Sequence, residues 1–224
     1  MEARRAPTLR TPIILLALVN LAMLGIRLWP WPDVMSLPGN GTTGADPAIT
    51  LAAYVGMAYW IGTAREDASR KLLFSSASTG LLAGVLLVVA VVAAARIATV
   101  DPSAGPDRIQ IGLLAGGLLI IGLAGFRTAR AGHSMGFSTV CALWSSMVAC
   151  LMAVAAVLVE TYLAAGAGDS SDPWKDYQGL AIGTPAMQSL VHSLDTISGF
   201  LLIGPLAGCI AGVVFASFAK PRKD

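Results

Sequence analysis

Residues 72–95 read LLFSSASTGLLAGVLLVVAVVAAA, an uncharged stretch that lies between Lys71 and Arg96. A helix needs about 20 apolar residues to cross about 30 Å of hydrocarbon, so this stretch is long enough to span a membrane. Other runs without Asp, Glu, Lys or Arg lie at 11–26, 47–64, 109–126, 131–159, 177–194 and 196–219. One soluble core cannot bury so many segments of this kind, and the pattern predicts an all-α membrane protein.

The composition agrees with this prediction. Apolar residues make up 55% of the 224 positions and charged residues 12%, whereas soluble domains contain about 45–50% and 25%. The net charge of +2 is too small to indicate a nucleic-acid partner. All three cysteines, Cys141, Cys150 and Cys209, lie inside apolar runs, which is typical of packing residues rather than of disulfides or a metal site. We expect no metal and no other cofactor.

We predict six membrane-spanning helices in a single integral membrane domain covering residues 1–224. The predicted spans are 12–31, 47–64, 72–95, 109–126, 136–160 and 196–219. The run 177–194 is not a separate span, because only Asp195 divides it from the last run and one residue cannot reverse a helix. Thr184-Pro185 is typical of a helix start. Residues 185–195 are therefore predicted as a short amphipathic outer segment, either an interfacial helix or the outer end of a long sixth helix.

The distribution of charge predicts the orientation. With six spans, 11 of the 15 basic residues fall on the side of the two termini, and nine of the 13 acidic residues fall on the other side. Lys and Arg are retained in the cytoplasm during insertion, so both termini are predicted to be cytoplasmic. Eleven Arg against four Lys, with abundant Ala and Gly, is typical of a high-GC genome and favours a bacterial inner membrane.

Small residues recur at four-residue spacing in three of the predicted spans, as Gly204, Gly208 and Gly212, as Gly80 and Gly84, and as Gly112 and Gly116. Such spacing places glycines on one helix face, where they let two backbones approach closely. We therefore predict that the sixth span packs against a neighbour along its glycine face. Pro205 removes one backbone hydrogen bond there and is predicted to kink the helix.

The central parts of the six predicted spans contain no Asp, Glu, Lys, Arg or His. Proton relays, ion-coupled carriers and voltage sensors depend on such groups, so these classes are disfavoured. Hydroxyls are present at Ser75, Ser76, Ser78, Thr79, Ser145 and Ser146. They suit either a path for a neutral solute or hydrogen bonds to helix carbonyls, and we favour the second interpretation.

Catalytic candidates occur only near the predicted outer edge. Gln188, His192 and Asp195 are spaced to share one helix face, and Glu160 ends the fifth span on the same side. A histidine oriented by a carboxylate is a general base in many enzymes. A solvent-facing polar stripe is the favoured interpretation of the same residues.

Two short motifs raise the question of hydrolysis. Gly132-His133-Ser134-Met135-Gly136 matches the G-x-S-x-G pattern, but no strand precedes it as hydrolases require. Gly132-His133-Ser134 and the segment 192–195 together resemble the second and third signatures of the membrane phosphatidic-acid-phosphatase family, which also has six spans. That resemblance implies an outward-facing enzyme using His192 and Asp195. The family's first signature, with a Lys and an Arg-Pro, is missing here, and the predicted topology places the two pieces on opposite faces.

Three functional hypotheses follow. The favoured one is a non-enzymatic accessory or interaction subunit whose partners are the lipid bilayer and either itself or another membrane subunit, with no nucleic acid. The first alternative is a permease or pore for a small neutral solute. The second alternative is the outward-facing enzyme based on His192 and Asp195.

Overall fold

A computed structural model describes residues 10–30, 45–63, 67–100, 108–165 and 185–219. These residues form six helices and no strand, which confirms the all-α prediction for this part of the chain. The helices are α1 (Arg10–Leu28), α2 (Ala45–Thr63), α3 (Asp67–Val100), α4 (Arg108–Arg130), α5 (Met135–Ala165) and α6 (Pro185–Ser217).

Four of these helices contain stretches long and apolar enough to cross a membrane. The stretches are Lys71–Ile97, Arg108–Arg130, Met135–Leu163 and Leu190–Ser217. The apolar stretch of α1, Ile13–Leu28, is shorter. α2 has 19 residues but begins with Asp46-Pro47 and carries several aromatic side chains. The four long helices indicate a membrane protein.

The sixth helix is longer than its predicted span. α6 continues without a break from Pro185 to Ser217. Residues 185–195 are therefore the first third of α6, and the alternative of a separate interfacial helix does not hold.

α5 is the central helix of the bundle. In its most apolar window 78% of the residues are buried, against 28–33% in the other three long helices. It packs against α1, α3, α4 and α6. Its large buried side chains, among them Trp144, Met147 and Leu151, join residues of α1, α2 and α6 in one apolar cluster. A membrane helix with so little lipid-facing surface must be surrounded by other helices.

The direction of the helices follows from their closest contacts. Gly204, Gly208 and Gly212 of α6 face Cys150, Ser146 and Ala142 of α5, in that order. Residue numbers therefore rise along α6 where they fall along α5, so the two helices are antiparallel. Gly80 and Gly84 of α3 face Ser145 and Met152 of α5, so these two helices are parallel. α3 and α5 thus run in one direction and α6 in the opposite one.

The glycines make these approaches possible. A methyl group built at Gly208 would lie 2.5 Å from the Cβ of Ser146, and one at Gly84 would lie 2.5 Å from the Sδ of Met152. At Gly208 the clash is with a Cβ atom, so a side chain would push α5 and α6 apart, whereas at Gly84 the flexible side chain of Met152 would have to move.

Close contacts of α4 use other glycines than the pair in the sequence pattern. A methyl group at Gly112 would meet no heavy atom within 4 Å, and one at Gly116 would lie 3.4 Å from Leu86. The close approaches of α4 lie instead at Gly122, where a methyl group would lie 2.7 Å from the Phe215 ring, and at Gly125, where one would lie 3.0 Å from the Cα of Gly212. These two glycines are three residues apart, so they do not form a four-residue repeat.

Candidate functional site

Polar side chains from four helices gather at one end of the bundle, where α1, α3 and α5 finish and α6 begins. We call this the distal end and the opposite one the proximal end. The distal cluster consists of Arg27, Arg96, Glu160, Thr161, Tyr162 and Ser193. Each member contacts a residue of another helix, so the cluster ties α1, α3, α5 and α6 together.

The ion pair of the distal cluster joins α3 to α5. Nη2 of Arg96 lies 3.4 Å from Oε1 of Glu160, with the Arg96 side chain 64% exposed and that of Glu160 18% exposed. Exposed pairs of this kind contribute at most about 1 kcal/mol to stability. The Glu160 carboxylate is thereby paired with a residue of α3.

A hydroxyl pair joins α5 to α6 nearby. The Oγ1 of Thr161 lies 2.7 Å from the Oγ of Ser193, and both residues are buried. The Thr161 hydroxyl donates its single proton to the carbonyl of Val157, at 2.8 Å. Ser193 is therefore the donor of the pair. The contact satisfies two buried hydroxyls and fixes the start of α6 against α5.

Arg27 and Tyr162 form the third element. The guanidinium carbon of Arg27 lies 5.7 Å from the centroid of the Tyr162 ring, and the Tyr162 hydroxyl donates to the carbonyl of Met23 at 2.8 Å. Within the described chain, Nε and Nη2 of Arg27 are buried and have no hydrogen-bond acceptor. These two nitrogens form one edge of the guanidinium group, which suits a bidentate anion.

The catalytic candidates do not meet around a common point. His192 is exposed, and in the described part of the chain no hydrogen bond joins its imidazole to Asp195 or Glu160. Its backbone carbonyl accepts from Thr196 at 3.1 Å. The side chain of Gln188 lies outside the described residues. A carboxylate that orients the ring is a frequent feature of a histidine general base, and the described residues supply no such hydrogen bond to His192.

The G-x-S-x-G segment is a turn between two helices at the proximal end. Gly132 has φ = 83°, a value that favours glycine, and its N–H donates to the carbonyl of Ala129 at 3.0 Å. The N–H of His133 donates to the carbonyl of Thr128 at 3.4 Å. This pair of bonds is the Schellman arrangement that ends α4.

Ser134 begins the next helix. Its Oγ accepts a hydrogen bond from the N–H of Phe137 at 3.3 Å, which is the N-cap interaction at the first turn of α5. The rings of His133 and Phe137 pack with centroids 5.3 Å apart. The glycine, histidine and serine of the motif therefore have roles in ending one helix and starting the next.

The two segments that resemble the phosphatase signatures lie far apart. Ser193 contacts Thr161 near the distal end of α5, whereas Ser134 caps the proximal end of the same helix. Thr161 follows Ser134 by 27 residues, which corresponds to about 40 Å of helix. No single site can include both segments.

The hydroxyls at membrane depth mostly bond to helix carbonyls, as favoured from the sequence. Ser76, Ser78 and Thr79 donate to carbonyls of α3 at 2.7–2.9 Å. Ser146 donates across to the carbonyl of Gly204 in α6 at 2.7 Å. These bonds satisfy the hydroxyl protons within the protein and so reduce the number available to a passing solute.

The carbonyl that Pro205 leaves without a helical donor has a hydrogen-bond donor on another helix, which no pattern in the sequence indicates. Proline has no N–H, so the carbonyl of Leu201, four residues earlier, loses its usual helical donor. The hydroxyl of Tyr54 donates to this carbonyl at 3.0 Å, and Tyr54 is 3% exposed. We call Tyr54, Leu201 and Pro205 the proline brace. It joins α2 to the middle of α6.

Asn20 of α1 is a second buried polar residue that the sequence analysis did not single out. Its Nδ2 donates to the carbonyl of Leu151 at 2.9 Å, and its Oδ1 is buried without a partner in the described residues. Three other side-chain atoms are also buried without a partner in the described residues: Trp144 Nε1, Ser145 Oγ and Ser198 Oγ. Asn20 lies between α1 and α5, whereas Ser145 is on the side of α5 that faces α3. These atoms do not share one helix interface.

No protein-family model, curated protein or solved structure matches this chain. The fold of the described residues alone therefore gives its class, which is that of an all-helical membrane protein. Its functional assignment depends on the contacts described above.

Proposed function

We propose that the chain is a six-span protein of a bacterial inner membrane with both termini in the cytoplasm. The shared direction of α3 and α5 and the opposite direction of α6 support successive crossings. The proximal end carries Lys71, Arg127 and Arg130 on α3 and α4, which fits retention of that end in the cytoplasm. α1 and α2 complete the set as shorter spans packed beside the four long helices.

We infer further that the protein acts as a non-enzymatic interaction subunit. The observation that carries this proposal is an exposed face of α2 that contains small residues. A methyl group at Gly56 of α2 would meet no heavy atom within 4 Å, as is also true at Gly25, Gly112 and Gly199, whereas Gly84, Gly125 and Gly208 lie against neighbouring helices. Gly56 therefore lies on a helix face that makes no close helix contact within the described chain.

The surroundings of Gly56 form a continuous exposed face. α2 packs mainly against α1 and α6, which leaves much of its circumference open. The face consists of Ile49, Ala52, Ala53, Gly56, Tyr59 and Trp60, all exposed. We call it the α2 face.

The partner that fits the α2 face is a transmembrane helix, from a second copy or from another subunit. The face has no ionisable group at its centre, so a charged soluble partner would find no opposite charge with which to form an ion pair there. Ala52 and Gly56 are four residues apart and allow two backbones to approach, which is how helices associate in lipid.

Purification from native membranes in mild detergent tests the proposal. The wild-type protein is expected to carry a stoichiometric companion or to form an oligomer, and Gly56→Leu is expected to abolish that association. Gly112→Leu is the matched control, because Gly112 is an equally uncontacted, exposed glycine on α4. A wild-type monomer without a companion, or an association that survives Gly56→Leu, would overturn the proposal.

A further inference from the structure

Three basic side chains at the proximal end of the bundle are accessible and unpaired. Lys71, Arg127 and Arg130 are all exposed. Among the residues that the structure describes, none of the three side chains forms an ion pair or a hydrogen bond, whereas Arg96 at the distal end is paired with Glu160. Cations of one sign gathered at one end of a membrane protein attract an anion.

The three basic residues lie along the line where α3 meets α4. The two helices touch at Gly116, where a methyl group would lie 3.4 Å from the Cδ1 of Leu86. Arg127 and Arg130 follow Gly116 by about three and about four turns, so they share its side of α4. Lys71 precedes Leu86 by about four turns and shares its side of α3. We call this line the α3–α4 seam.

The basic residues of the two helices also lie at one height. α3 is parallel to α5, and α4 folds back onto α5 so that Gly125 approaches Ser138 beyond the turn, which makes α3 and α4 antiparallel. Measured from the contact at Gly116, Lys71 and Arg130 are therefore both displaced toward the proximal end, each by about 20 Å. Cations from both helices thus meet at the proximal end of the α3–α4 seam.

This height is that of lipid phosphates. The apolar stretch Arg108–Arg130 has 23 residues, or about 34 Å of helix, which is close to the roughly 30 Å of a hydrocarbon core. The last turn of α4 therefore reaches the boundary between hydrocarbon and headgroups. Arg127 is one turn before the end, and its long side chain reaches the same boundary by snorkelling.

The α3–α4 seam continues into the hydrocarbon as an exposed apolar strip. Leu82 precedes Leu86 by about one turn, and Leu123 follows Gly116 by about two turns, so both lie on the seam between the helix contact and the basic residues. Their side chains are 59% and 39% exposed. A ligand with an anionic head and apolar chains matches both parts of the seam, whereas a soluble anion matches only the basic part.

We propose that the α3–α4 seam binds an anionic glycerophospholipid of the proximal leaflet, with its phosphate at Lys71, Arg127 and Arg130. Guanidinium groups bind phosphate oxygens in a bidentate arrangement, and the lysine adds a point charge. One acyl chain then lies along Leu82 and Leu123. α2 packs against α1 and α6, so this site is separate from the α2 face and does not depend on the proposed partner helix.

Native mass spectrometry of the purified protein with added lipids tests the site. Phosphatidylglycerol is expected to be retained in preference to phosphatidylethanolamine with the same acyl chains, because the ammonium group of the second lipid neutralises its phosphate charge. Inorganic phosphate at millimolar concentration is expected to leave the bound lipid in place, because it lacks the acyl chains. Equal retention of the two lipids, or displacement by inorganic phosphate, would overturn the proposal.

Two double variants with the same change of charge locate the binding. Arg127→Gln with Arg130→Gln is expected to weaken phosphatidylglycerol binding by about tenfold or more, since each basic residue near an anionic surface strengthens binding by about fivefold. Arg96→Gln with Arg108→Gln is the control at the distal ends of the same helices and is expected to bind as the wild type does. Equal binding by the two double variants would contradict the site. If the first double variant is not recovered, Arg130→Gln and Arg108→Gln are compared instead, with about a fivefold loss expected for Arg130→Gln alone.

Discussion

The hydroxyl of Tyr54 in α2 donates to the carbonyl of Leu201 in α6 at 3.0 Å, across a separation of 147 residues. That carbonyl has no helical donor, because the residue four positions later is Pro205. The carbonyl that Pro205 leaves without a helical donor is thus supplied with one from a neighbouring helix. The bond also fixes α2, which otherwise packs mainly against α1.

Tyr54→Phe is expected to destabilise the protein by about 1–3 kcal/mol, because it leaves a buried carbonyl without a donor. The measurement is unfolding in detergent. Pro205→Ala provides the control, since alanine restores the N–H and should give Leu201 its helical partner. In the Pro205→Ala background the penalty of Tyr54→Phe should largely disappear. An unchanged penalty in that background would show that the phenol stabilises by some other contact.

Asn20 provides a contrast to Tyr54. It donates to the carbonyl of Leu151, which sits inside a regular helix and keeps its own backbone donor. Asn20→Leu removes one hydrogen bond and also removes the buried, unpartnered Oδ1. We therefore expect a change in unfolding free energy within about 1 kcal/mol, smaller than that of Tyr54→Phe. A larger loss for Asn20→Leu would indicate that Oδ1 has a partner such as an ordered water.

The contact between α5 and α6 predicts which glycines tolerate a side chain. Gly208→Ala is expected to destabilise the protein by about 1–3 kcal/mol through overpacking against Ser146. Gly112→Ala, on an open surface of α4, is expected to be neutral or slightly stabilising. Unfolding in detergent measures both. Similar values for the two variants would contradict the close approach of α6 to α5 at Gly208.

The serine at the α4–α5 turn is expected to behave as a helix cap. Ser134→Ala should reduce stability by about 1 kcal/mol, whereas Ser134→Asp should retain most of it, because both Ser and Asp accept from the first-turn N–H groups. Thermal unfolding of the two variants checks this. Equal losses in both variants would mean that the hydroxyl has a role other than capping.

The positions of the helices could be predicted because charge is excluded from hydrocarbon. The ends of α3, α5 and α6 could not be predicted in the same way. A helix can continue beyond the membrane once its charged groups are paired, as Arg96 and Glu160 are. Residues 185–195 illustrate this. Their polar face is compatible with an interfacial helix and with the outer end of a long sixth helix, and the structure has one continuous α6.

Contacts between helices were predictable only in part. A four-residue glycine repeat places small residues on one face but does not say whether that face meets a helix. Gly208 lies in a close contact and Gly112 does not, although both belong to such repeats. The partners of Pro205 and Arg27 lie in helices far away in sequence, so no local pattern identifies Tyr54 or Tyr162.

Labelling with a membrane-impermeant maleimide tests the membrane topology, on which the whole account depends. In a variant whose three native cysteines are replaced by alanine, single cysteines are introduced at two exposed positions, Ala131 at the proximal end and His192 at the distal end. In intact spheroplasts the account predicts that His192→Cys is labelled and that Ala131→Cys is labelled only after permeabilisation. Labelling of Ala131→Cys from outside, or protection of His192→Cys, would contradict it.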